Sequence, residues 1–191
     1  MHDAPIGSLV KPWHVSPSRV LATTRVMTLK QRWCASPTNP AKAGHYVYLD
    51  ACDWCNVVAI TRDRRVVMIE QFRHGLGEVT LELAGGIVER GEDPAAAGVR
   101  ELLEETGYSG TSHGVIGTVS ANPAIFNNRV HTVLVTDCKA TRAPEMDGNE
   151  EIATRLVELG QLDNLVRRSD VHHSLVVCAW MHARLWGVEK A

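Results

Sequence analysis

One stretch, GIVERGEDPAAAGVRELLEETGY from Gly86 to Tyr108, constrains this chain more than any other part of it. Asp93 is a natural N-cap, and Pro94 suits the first helical position, where a missing N–H costs nothing. Gly107 supplies a left-handed stop. Between them the spacing predicts one helix, with Ala95, Val99, Leu102, Leu103 and Thr106 facing the core. Glu92 sits in the loop ahead of that helix, and Glu101, Glu104 and Glu105 lie on it. Glu101 and Glu105 are four apart and share a face.

This arrangement is electrostatically poor on its own. Like charges four apart destabilise a helix by roughly 0.2–0.5 kcal/mol per pair. A carboxylate in the last turn opposes the helix dipole by about 0.3–1 kcal/mol at an exposed site. Arg100 offsets only part of this. Two readings follow. One is a solvated acidic face; the other is a site for a hard divalent cation, which takes carboxylate oxygens and, as Mg²⁺, keeps several waters and bridges phosphates. The glycines at 85, 86 and 91, and the spacing itself, favour the cation.

That spacing runs from Gly86 over five residues to Glu92, then over seven to Arg100-Glu101-Leu102, Glu104-Glu105 and Gly107-Tyr108. In it the stretch resembles the Nudix box, with Tyr108 a mild departure at a site usually aliphatic. Outside the box, IEQFRHGLGEVTLELAGGIVERGE resembles the ADP-ribose pyrophosphatase and nucleotide-sugar hydrolase branch. There EQ-aromatic-R precedes a Glu-x-Pro-Ala-Gly segment, and here Ala84 stands in place of the proline. Pro123 stands near the position of a proline that marks the branch. The resemblance implies an α+β fold: an α/β/α sandwich with a mixed β-sheet, the box as loop–helix–loop, and a small N-terminal antiparallel sheet.

It also implies hydrolysis of a nucleoside diphosphate linked to another moiety. A pyrophosphate is anionic, so an acidic pocket repels it unless metal ions reverse the local charge. By this resemblance Glu101 and Glu105 are the principal metal ligands, with Glu104 beside them and the backbone carbonyl of Gly85 added. The cofactor implied is Mg²⁺, with Mn²⁺ able to replace it. Arg100 has a second role open to it, an ion pair with Glu92 that pins loop to helix. Glu104, Glu105 and Arg100 are therefore the catalytic candidates in the box. Glu150 joins them from the late loop PEMDGNEEI, with Glu151 and Glu145 behind it, although a solvated acidic turn explains that segment as well.

Arg73 is expected on phosphate, where a fixed guanidinium fork serves well. Glu82 is expected behind it or at the metal. The segment NPAIFNNRVHTVLV resembles bacterial nucleotide-sugar hydrolases and places Asn122, Asn127, Asn128 and Arg129 near sugar or phosphates; Asn122-Pro123 also reads simply as a turn. Homodimers are common in the branch, and their N-terminal sheet reaches the partner's site. That offers Trp33, Tyr46, Tyr48 or Trp54 to a nucleobase, against ordinary core or interface packing. The implied substrate is ADP-ribose or a related nucleoside diphosphate sugar, cut to a nucleoside monophosphate and a sugar phosphate. Alternatives are a hydrolase of dinucleotides or damaged nucleoside triphosphates, and a sensing module without turnover.

The rest of the chain is consistent with that frame. Its 191 residues suit one catalytic domain of residues 51–191 preceded by an N-terminal arm and dimer-forming sheet over residues 1–50. A formal net charge of −2 gives no footprint for nucleic acid or an anionic membrane. No apolar run reaches the length of a membrane span, and the N-terminus lacks a secretory pattern, so the cytoplasm is expected. Five cysteines suggest no disulfide framework; Cys52 and Cys55 read as small buried thiols. Strands are expected over Val20–Cys34, His45–Asp50, Trp54–Thr61, Val66–Phe72, Val79–Leu83, Thr111–Val119, Arg129–Thr136 and Ile152–Leu159. Helices are expected over Gly160–Arg168 and Val171–Val188, with His172-His173 at the surface or substrate edge.

Overall fold

The run WCNVVAIT is apolar on both faces, and that makes it a central strand. Val57 and Ala59 point to one buried cluster and Val58 and Ile60 to another, the pattern of a strand covered on both sides. The computed structural model describes residue 7, residues 9–146, residue 148 and residues 151–188. The chain forms two compact units. The first takes in the chain up to Ala51 together with Asn122–Asn127, and the second takes in Cys52–Ala121 and the chain from Asn128 onward.

In the second unit the central strand is β5 (Trp54–Thr61), flanked in the chain by β6 (Arg65–Arg73), β7 (Glu78–Leu83) and β8 (Gly85–Ile87). After helix α1 (Pro94–Thr106) come β9 (Tyr108–Ser120), β10 (Arg129–Ala140) and β11 (Ile152–Glu158), then α2 (Leu162–Arg167) and α3 (Ser174–Trp186). The sheet runs β11-β6-β5-β10-β9, with β7 paired to β6 and β8 to β5. Strands β5 and β10 are parallel and the other pairs antiparallel, so the sheet is mixed. Ala97 and Leu102 of α1 cover one face with Cys55, Val57 and Val133. Val176, Ala179, Trp180 and Ala183 of α3 cover the other with Val58 and Leu134. This is the α/β/α sandwich. Burying a leucine such as Leu102 or Leu134 is worth about 1.5–3 kcal/mol.

The first unit holds β1 (His14–Val15), β2 (Arg19–Thr23), β3 (Thr28–Ala35) and β4 (Ala43–Asp50). Strand β3 pairs with β4 on one side and with β1 and β2 on the other, all antiparallel. The loop Asn122–Asn127 joins this unit through Leu49, whose N–H donates to Ile125 O at 2.7 Å.

Four sequence expectations change. Val20–Cys34 is not one strand but the hairpin β2–β3, because the Thr24 N–H and hydroxyl both donate to Met27 O and turn the chain. The sheet begins ahead of Val20, since His14–Val15 pairs with Cys34–Ala35. On α1 the buried residues are Ala97, Gly98, Leu102, Glu105 and Thr106, while Ala95, Val99 and Leu103 are only half-buried. The helix is rotated because Gly98 lets β10 approach, a Cβ there falling 2.8 Å from a Val133 methyl. Cys55 is buried as expected but Cys52 is exposed, and all five thiols are free. No helix among the described residues is long and apolar enough to cross a membrane.

Candidate active site

The box is placed by local rules. Asp93 Oδ1 accepts from the N–H groups of Ala95 and Ala96, each at 3.0 Å, ahead of Pro94. At the other end Gly107 has φ 72°, and a Cβ there would lie 2.1 Å from Arg142 O, so glycine is required on two counts. Gly86 is required for a different reason. Its backbone passes so close to α1 that a Cβ would fall 2.3 Å from the Glu101 carboxylate.

Arg100 is the hub of the acidic residues. Its Nε and Nη2 donate to the two oxygens of Glu92 at 3.0 and 3.1 Å, and Nη2 also reaches Ile87 O at 3.1 Å. Its Nη1 donates to Glu101 at 2.8 Å and to Glu104 at 3.1 Å. Glu92 above all, then Glu101 and Glu104 against partial burial, raise Arg100 above its ordinary range. Glu92 is in turn held low, first by Arg100 and then by the Glu89 N–H. The ion pair that pins loop to helix and the spacing of the carboxylates are thus one interaction. Glu105 is buried, and its Oε2 accepts the Gly85 N–H at 2.9 Å.

These groups border a cavity of about 420 Å³, where five carboxylates (Glu89, Glu101, Glu104, Glu105, Glu145) face two guanidiniums (Arg73, Arg100). Trp54, Gln71, Gly85 and Gly86 complete much of the wall. Among the described residues no group of His, Cys, Asp and Glu forms a ready-made metal cage. The donor set is nevertheless all oxygen, and Mg²⁺ takes only one or two carboxylates and keeps its waters. Glu101, Glu104 and Glu105 fit such an ion, with Gly85 on the same wall.

A second cluster lies behind Arg73. Its Nε and Nη2 donate to the two oxygens of Glu82 at 2.8 and 2.7 Å, and Thr80 Oγ1 donates to the same carboxylate at 2.5 Å. His173 Nδ1 stands 2.9 Å from Glu82 Oε2. Burial alone would push the Glu82 carboxyl up, but Arg73, His173 and Thr80 together hold it well below the usual carboxylate range.

Other expected site residues are placed differently. Glu150 lies outside the described residues. Its loop is anchored at the near end, where Glu145 N donates to Glu104 O at 2.8 Å and Thr141 N to Gly107 O at 2.8 Å. Asn128 and Arg129 do not line the acidic cavity. Asn128 Nδ2 donates to Cys52 O, and the Arg129 guanidinium donates to Ser120 Oγ at 2.6 Å. Asn122 and Asn127 belong to the first unit, where Asn122 Oδ1 accepts from Ala124 N and Asn127 bonds Asp50 and Ala51 N. Trp33, Tyr46 and Tyr48 also belong there, with Arg32 over the Tyr48 ring at 4.8 Å. Trp54 lies at the cavity, its indole N–H fixed on Asn56 Oδ1 at 3.1 Å. Sequence reasoning misses Gln71 and Glu89, and it places His173 at the surface or substrate edge without its Glu82 partner. The charge of Glu89 beside the box glycine was an available signal; no local pattern betrays the Glu82 contact of His173.

The family profile described as the NUDIX domain matches residues 55–177, more than half of the chain. The chain belongs to the Nudix family and is a Nudix hydrolase. It is 28% identical over 130 residues to the ADP-ribose pyrophosphatase of Bacillus subtilis (strain 168), covering 68% of this chain and 70% of that protein. The methanol dehydrogenase activator of Bacillus methanolicus matches with the same identity and coverage. The ADP-sugar pyrophosphatase of Mus musculus is 42% identical over 71 residues, 37% of this chain and 33% of that protein. A crystal structure described as an ADP compounds hydrolase shares the fold with a TM-score of 0.79, over 97% of this chain and 99% of that one, at 19% identity.

Proposed function

We propose that this Nudix hydrolase cleaves the pyrophosphate bond of ADP-ribose or a related nucleoside diphosphate sugar, with Mg²⁺ as cofactor, giving a nucleoside monophosphate and a sugar phosphate. The observation that carries this reading is the charge imbalance of the cavity, five carboxylates against two guanidiniums, beside an arginine already fixed in place. The names of the Bacillus subtilis and mouse relatives support the substrate class.

Glu101, Glu104 and Glu105 hold the ion, which when bound neutralises the pyrophosphate and polarises a phosphoryl oxygen. Arg73 grips a phosphate with a guanidinium whose orientation Glu82 sets. Arg100 keeps Glu101 and Glu104 apart and the glycine loop against them. Glu104, the most exposed of the three carboxylates that Arg100 holds, at 40% of its side chain, orients a water for attack, and Glu150 serves as a further base or ligand. We assign the chain to the cytoplasm, where five free thiols suit a reducing compartment. We also assign it as a homodimer. The first unit leaves Val20, Trp33, Tyr46 and Val47 of its sheet and Val26 of its hairpin turn exposed, and a second copy would cover them.

The test is release of monophosphate products, with and without Mg²⁺, from ADP-ribose, GDP-mannose, UDP-glucose, NADH, diadenosine polyphosphates and nucleoside triphosphates. Cleavage confined to sugar-linked diphosphates supports the proposal. Cleavage of triphosphates or dinucleotides alone overturns the substrate. No cleavage of any of them, with metal bound, overturns turnover itself. Sedimentation of the purified chain tests the dimer.

A further inference from the structure

We propose that His173 is a positioning residue: it locks the Glu82 carboxylate in the orientation that aims Arg73 at the substrate's phosphates. The inference rests on the pyrophosphatase reading above for the identity of the substrate, but its geometry stands independently.

Glu82 is 2% exposed, and each of its oxygens is engaged. Oε1 accepts from Arg73 Nε and Thr80 Oγ1, while Oε2 accepts from Arg73 Nη2 and faces His173 Nδ1. Arg73 and Thr80 lie on the paired strands β6 and β7, as Glu82 itself does. They move with it. His173 comes from the start of α3, so it ties that hairpin to the helix layer.

The local chemistry of His173 points the same way. It is the N-cap residue of α3, yet its side chain caps nothing. Ser, Thr, Asp and Asn are the usual residues there because they bond the first free N–H groups. Its Nδ1 is shielded from solvent and makes no aligned hydrogen bond, so the carboxylate at 2.9 Å is the contact that compensates its burial. The rest of the ring, with Arg73 and Trp54, borders a second cavity of about 580 Å³. Arg73 and Trp54 border the acidic cavity too. Arg73 therefore stands where a ligand filling both cavities must pass, and a guanidinium fixed beforehand needs no reorganisation when phosphate arrives.

His173→Ala should raise KM for ADP-ribose about tenfold while kcat changes less than about threefold. His173→Asn keeps an N–H near the position of Nδ1 and should recover most of the loss. In an Arg73→Ala background His173→Ala should add nothing, because the two act as one unit. Thermal denaturation of each variant controls for folding. A readout free of turnover is the NMR signal of the Arg73 Nε–H, which should be rigid in the parent, mobile in His173→Ala and rigid again in His173→Asn. The inference is overturned if that signal stays rigid in His173→Ala, if Ala and Asn are equally impaired, or if the His173 and Arg73 losses multiply. A parent protein that binds but never cleaves ADP-ribose would sink the pyrophosphatase reading alone, and the NMR signal would still decide the role of His173.

Discussion

Two arginines organise this site in opposite ways. Arg100 stands among three carboxylates, Glu92, Glu101 and Glu104, with Glu105 buried nearby. Arg73 meets one, Glu82, which also accepts from Thr80 and faces His173 at 2.9 Å. The first cluster sets four carboxylates beside one guanidinium, an excess of negative charge that favours a cation. The second is balanced about a buried carboxylate, the condition for holding a side chain still. Excess charge marks the chemistry; balanced charge marks the scaffold that aims it.

The largest effect expected follows from the first cluster. Glu104→Gln should lower kcat by about 10²–10⁴-fold, the usual contribution of a positioned acid–base group. Stability should stay level or rise by about 0.2–0.5 kcal/mol as like-charge repulsion on α1 is relieved. Steady-state kinetics beside thermal melts would check both. A variant that melts early would mean that this carboxylate is scaffold, and the comparison would collapse.

Glu82→Gln should do the reverse. Breaking a buried pair by removing one charge typically destabilises by about 3–5 kcal/mol, with a smaller loss of rate. The Glu82 carboxyl is held below its unfolded value. Its contribution is therefore fully present above the ordinary carboxylate range, and it falls away as pH drops through and below that range, because the unfolded chain then binds the proton first. The stability gap between the parent and Glu82→Gln, measured by urea titration, should be wide at neutral pH and narrow progressively in acid. A gap that does not change with pH would show the carboxylate to be unperturbed.

Metal addition sharpens the contrast further. At about 100 times Kd, Mg²⁺ should stabilise the parent by about 2.7 kcal/mol, and Glu101→Gln should lose most of that shift in a thermal melt. Glu82→Gln should keep it. An equal shift in both variants would place the ion away from the box.

The acidic cluster was legible in the sequence and the balanced one only half so. Asp93, Pro94, Gly107 and the glutamates act within one loop and one helix, where spacing fixes geometry. The run Trp54–Thr61 was legible because burial on both faces leaves an unbroken apolar signature. The Glu82–His173 contact joins residues ninety-one positions apart, and nothing local announces it. The rotation of α1 was hidden for a related reason. Glu105 turns inward to meet Gly85 N–H, a partner that only the strand after β7 supplies, so a charged residue took a core position that periodicity had given to Leu103. Thr24 misled in the other direction, its β-branched side chain reading as strand while its hydroxyl made a turn.

The smallest expected effect tests whether Arg100 is a fork or only a charge. Arg100→Lys keeps the cation but cannot serve Glu92, Ile87 O, Glu101 and Glu104 at once from one point. Arg100 is about a third exposed, so solvent screening limits the loss, and about 1 kcal/mol is expected rather than the cost of a buried pair. The part of that loss that belongs to Glu101 and Glu104 should vanish when Mg²⁺ is present, because the ion takes over their neutralisation, while the larger Glu92 contact stays broken. Thermal melts of parent and variant with and without Mg²⁺ give the comparison directly. If the deficit is the same in both conditions, Arg100 serves the loop alone. Its contacts with Glu101 and Glu104 would then carry no energy that the metal replaces.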